Sequence, residues 1–63
     1  MTRTTKVNTM NGETIYESTC TIIENTITGG QNPFPYIKRM LRKRGLHIID
    51  MLENGQDITL IVK

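Results

Sequence analysis

Two prolines and a glycine bracket the one stretch of this chain with a clear helical signature, and the rest has to be arranged around it. The stretch is Asn32-Pro33-Phe34-Pro35-Tyr36-Ile37-Lys38-Arg39-Met40-Leu41-Arg42-Lys43-Arg44-Gly45. Proline disfavours the α conformation in the residue before it, so Phe34 is expected to be extended and the helix to start at Pro35. The missing N–H of Pro35 costs nothing in a first helical turn. Gly45 suits the left-handed position just past the end. The predicted helix is residues 35–44, too short to hold together without packing.

At 100° per residue, Ile37, Met40 and Leu41 make one narrow apolar stripe with Tyr36 on its edge. Lys38, Arg39, Arg42 and Lys43 spread over the opposite arc. Arg44 falls back towards the apolar side, where its stem can lie on the sheet and its charge suits the helix C-terminus.

On each side of the helix lies an apparent strand, an Asn-Gly pair and a second strand. Residues 2–10 are Thr-rich with Val7 and Met10, and residues 13–23 return as a strand ending in Ile22 and Ile23. A two-residue Asn11-Gly12 turn sets Met10 opposite Glu13, Lys6 opposite Glu17 and Val7 opposite Tyr16. Residues 24–34, with Gly29-Gly30, lose the alternation and read as a loop. After the helix, Leu46–Glu53 and Gln56–Lys63 flank Asn54-Gly55. Pairing about that turn sets Met51 opposite Ile58, Ile49 opposite Leu60 and His47 opposite Val62. One face is then almost wholly apolar, as a sheet covered by a helix requires. A rival reading makes 46–53 helical, because short apolar runs fit either period.

The expected fold is therefore α+β in ββαββ order: hairpin 2–23, loop 24–34, helix 35–44 and hairpin 46–63, with a small antiparallel sheet under one helix. The core is expected from Val7, Ile15 or Tyr16, Ile22, Ile23, Phe34, Ile37, Met40, Leu41, Ile49, Met51, Ile58, Leu60 and Val62. A chain of 63 residues makes one domain at most and buries only about 60% of its unfolded surface. Support from a second copy, as a homodimer, fits that size.

Chemistry is excluded more readily than assigned. The one cysteine forms no intramolecular disulfide, and with one histidine it makes no Cys/His zinc site. Cys20 and His47 form a nucleophile–base pair only if brought into contact with a third orienting group. The six carboxylates sit beside turns or alternate along strands. The expectation is no enzyme, no cofactor and no metal. No leading signal segment and no apolar run of roughly 18 residues is present, so a cytoplasmic protein off the membrane is expected.

The charge pattern carries the functional expectation. The net charge is only +2, yet no acid lies between Glu24 and Asp50, while five of the eight cations fall between 38 and 44. Exposed helix faces usually interleave acids with bases, and this one does not. The expected partner is nucleic acid, met by Lys38, Arg39, Arg42, Lys43 and Arg44 with Tyr36 or Phe34 free to stack on an unpaired base. Without Asn or Gln on the helix, base-specific readout by it is not expected. The alternative is an inhibitor or adaptor docking on an acidic protein surface through the same residues. The size and one-helix plan also suit short accessory proteins of phages or plasmids. Over less than half of the chain, Pro35 to Leu41 followed by Gly45-Leu46 and a terminal hairpin loosely resembles the helix and second hairpin of AbrB-type swapped-hairpin transcription factors. The Gly-Asp step of that family is absent here, and no membership is drawn.

Overall fold

The computed structural model describes residues 1–24 and 26–63; Asn25, inside the predicted loop, lies outside them. In chain order the elements are β1 (Thr2–Thr9), β2 (Thr14–Ile23), β3 (Thr26–Gly29), α1 (Phe34–Arg44), β4 (Ile48–Asn54) and β5 (Asp57–Val62). The fold is α+β, but the order is βββαββ. The predicted loop 24–34 contains a short edge strand, β3, whose Ile27 pairs with Ile22 and whose Thr26 pairs with Ile23. Four residues were too few to show an alternation.

All five strands join one sheet in the order β3-β2-β1-β5-β4. A purely antiparallel sheet of two hairpins was expected; the sheet is instead mixed, because β1 and β5 lie together in parallel, Thr5 to Thr9 against Ile58 to Val62. Two polar contacts pin the start of β5 to β1. Arg3 donates from Nε to the Gln56 carbonyl at 2.9 Å, and Asp57 accepts from the Thr4 amide at 3.0 Å.

Both turns differ from the simplest Asn-Gly geometry. In the first, Lys6 faces Glu17 and Val7 faces Tyr16 as expected, but the register shifts after Val7 and Asn8 pairs with Thr14. The Gly12 amide donates to the Thr9 carbonyl, and only Gly12 takes a positive φ. A three-residue loop with glycine in the left-handed position replaces the two-residue turn, so Met10 does not pair with Glu13. In the second, Asn54 pairs with Asp57, Met51 with Leu60 and Ile48 with Val62. The central residues are Gly55 and Gln56, with positive φ at Gly55 only. Next to the turn the register is displaced by two residues from the predicted one, which leaves those side chains on the same faces. A shift between Ile48 and Asp50 then puts Ile48 in place of His47 opposite Val62 and pairs His47 with Lys63.

The helix starts at Phe34, one residue earlier than predicted. Pro33 already has helical angles, and the Phe34 amide donates to Asn32 Oδ1 at 3.1 Å. That side chain satisfies an N–H that would otherwise hold no partner at the helix start, which offsets the pre-proline bias against Phe34. Gly45 closes the other end in the left-handed conformation.

Ile37 and Leu41 pack on Val7, Leu60 and Val62, with Ile15, Tyr16, Phe34, Met40, Leu46 and Ile58 around them. Ile37 is wholly buried, a contribution of about 1.5–3 kcal/mol. Cys20, Ile22 and Thr5 are buried as well. Three expected core residues are not. Ile23, Ile49 and Met51 are half exposed or more, Ile23 because it alternates away from Ile22 and the other two because β4 is the sheet edge. The molecule measures 32 × 22 × 15 Å, thick enough for one sheet and one helix layer. The opposite sheet face is open and polar over β1 and β2, with Lys6 and Glu17 3.8 Å apart and the Thr4 and Thr19 hydroxyls in contact, and carries Leu52 and Ile61 towards β4.

Candidate functional site

Helix α1 sits on the sheet by Ile37 and Leu41, and the helical period then fixes where its cations go. Arg39 stands on the crest directly away from the sheet. Lys38 and Arg42 fall on the flank towards β4, where they line a groove with Leu41, Leu46, His47 and Ile48. Lys43 and Arg44 fall on the flank towards β2, lining a groove of about 260 Å³ with Tyr36, Arg39 and Met40. All five cations are exposed. The arc that looked continuous in sequence is thus divided: three cations gather beside Tyr36, and two face the sheet edge.

No acid answers them. Among the described residues the one ion pair is Lys6 with Glu17. Lys6 lies between buried Thr5 and Val7, so by strand alternation it points away from the helix. The helix cations therefore keep their full field towards solvent, and guanidinium forks at 39, 42 and 44 remain free for bidentate contact with an anion.

Phe34, expected both in the core and beside the arc, packs at the core periphery, and Tyr36 is left 49% exposed. Phe34 faces inward because the earlier helix start rotates it onto the side of Ile37 and Leu41. In its place stands Tyr16, expected only as a core residue. The rings of Tyr16 and Tyr36 lie 5.1 Å apart at an interplanar angle of 34°. Tyr16 could have been found from the hairpin register, since it faces Val7 and so shares the helix-covered side. A second groove of about 260 Å³ continues past this pair, bounded by Tyr16, Tyr36, Arg39, Gln31 and Asn32. The two grooves meet at Tyr36 and Arg39.

The nucleophile–base alternative does not assemble. Cys20 is buried on β2 and His47 precedes β4, and these strands are separated by β1 and β5, about 14 Å at ordinary strand spacing. Among the described residues no group of three or more His, Cys, Asp or Glu is placed to hold a metal ion. No helix is long and apolar enough to cross a membrane. No protein-family model, curated protein or solved structure matches the chain.

Proposed function

We propose that this chain is a small binding module that holds nucleic acid through the outer surface of α1. One observation carries the reading: Lys38, Arg39, Arg42, Lys43 and Arg44 are all exposed, and no described carboxylate pairs with any of them. Phosphates supply regularly spaced negative charge for such a surface, and displaced counterions supply the driving force. Binding to random-sequence DNA and RNA, measured across a salt series, tests it. Three to five phosphate contacts on duplex DNA predict a log–log slope of roughly −3 to −5. Absence of binding at low salt, or affinity indifferent to salt, sinks the reading. Polyglutamate run alongside stands in for an acidic protein surface; if it binds as tightly as the nucleic acids, the docking alternative takes over.

A second reading rests on β4. This edge strand is exposed along its whole length, and Ile48, Ile49, Met51 and Leu52 are each 48–53% exposed. Its outer backbone groups have no neighbouring strand, no lysine or proline guards the edge, and the Met51 amide, which donates to Asp50 Oδ1 at 2.8 Å, exchanges that partner on pairing. A second copy of the same strand, antiparallel about a two-fold axis, fits it. Centring the pair on Met51 sets Asp50 beside Leu52 of the second copy and keeps like charges apart, whereas centring on Asp50 or Glu53 sets acid against acid. The reading is a homodimer through β4, with its test in sedimentation.

A further inference from the structure

The grooves on the β2 flank carry a finer statement about the ligand of the site just proposed, and it rests on that reading. Duplex phosphates need only cations, and cations are what the sequence displays. The fold adds something that a duplex would not use: a half-exposed aromatic ring set among them. Tyr36 lines one groove with Arg39 and Met40, and the ring of Tyr16 on the sheet lies 5.1 Å from its own. The contact with Tyr16 restricts the ring before any ligand arrives, so less rotamer freedom is lost when something stacks on it.

We propose that the ligand is single-stranded, with one unpaired base stacked on Tyr36 and its flanking phosphates held by Arg39, Lys43 and Arg44. Three features agree. Each groove is about 260 Å³, below the roughly 300–1,000 Å³ of sites for larger small molecules and suited to one planar ring system. Charge complementarity is local, since three unpaired cations lie at the rim of the aromatic site. Polar groups for a base edge stand at the far end: Gln31 is exposed, and Asn32 spends Oδ1 on the Phe34 amide while its amide nitrogen stays free to donate. In a duplex the bases are already stacked on one another, and no ring face is offered to Tyr36.

The chain provides its own reporter. It has two tyrosines and no tryptophan, so all of its intrinsic emission arises from Tyr16 and Tyr36. Three ligands of equal length are titrated at low salt: oligo(dT), the corresponding abasic deoxyribose-phosphate strand, and a duplex. Affinity is read by anisotropy of end-labelled strands, and tyrosine emission is followed with unlabelled ones, corrected for base absorption. The expected result is oligo(dT) binding on the order of tenfold more tightly than the abasic strand, with emission quenched by the former only. Tyr36→Phe should keep the preference. Tyr36→Ala should lose it while still binding the abasic strand, and its melting curve shows whether it is folded. If oligo(dT) and the abasic strand bind equally, or binding leaves tyrosine emission unchanged, the stacking site is overturned and the phosphate reading stands. If none of the three binds, both fall together.

Discussion

Among the described residues Thr5 is the one fully buried polar side chain, seated between Ser18 on β2 and Ile58 on β5, and its hydroxyl has no hydrogen-bond partner there. A buried hydroxyl left unsatisfied costs about 1–3 kcal/mol, and valine has almost the same shape with no polar atom. Thr5→Val is therefore expected to stabilise the fold by about 1 kcal/mol. In a domain of this size that raises Tm by roughly 4–8 °C, which calorimetry reads directly. An unchanged or lower Tm would show that the hydroxyl is satisfied in solution. Thr5 could not be singled out in the sequence, where it is one of a run of threonines. Its burial depends on lying in a central strand beneath the helix, which is a matter of strand order. Tyr16 is a comparable case: the Val7 pairing was legible, but its contact with Tyr36 depends on where the helix crosses β2.

At the level of the element, α1 is the part most fully written in the sequence. Its apolar stripe, its basic arc and its end at Gly45 are where the period placed them. It starts one residue before the position the pre-proline rule predicts, because Asn32 supplies an acceptor that the rule leaves out. Asn32 Oδ1 accepts the Phe34 N–H, and removing that acceptor should cost about 1 kcal/mol. The expected outcome is a lower urea midpoint at constant slope for Asn32→Ala and near-native stability for Asn32→Asp, whose charge also suits a helix N-terminus. Equal stability of Asn32→Ala and the parent would mean that the contact contributes nothing. The turns were located correctly as to position but not as to type. An Asn-Gly pair permits a turn with two positive φ angles, yet each turn here uses glycine alone in that role.

At the level of the whole molecule, the consequential fact is that β5 is inside the sheet and β4 at its edge. The apolar run 46–52 has the composition of a buried strand, and sequence alone could not say that it would be left uncovered. If β4 joins a second copy, sedimentation at micromolar concentration should give a species of twice 7.2 kDa. Leu52→Glu should return it to a monomer without unfolding, since it sets a carboxylate against Asp50 of the second copy while Leu52 is 53% exposed in the single chain. A parent protein that sediments as a monomer rules this interface out. In such a dimer the Lys38 and Arg42 flanks of the two helices would look towards each other across the paired edges, while the tyrosine grooves remain outermost.

By itself the sequence determined what local geometry controls. Proline and glycine fixed the extent of the helix to within a residue, the helical period fixed which side chains are cationic and which apolar, and the Asn-Gly pairs fixed where the strands turn. Tertiary structure alone decided that β1 and β5 run together in parallel, that a short β3 extends the sheet, and that Tyr16 rather than Phe34 stands with Tyr36. The physical reason is common to all three. Each depends on pairing between segments far apart in the chain, where hydrogen bonds and burial are rewarded only once the whole sheet is assembled, and residue spacing carries no record of that reward.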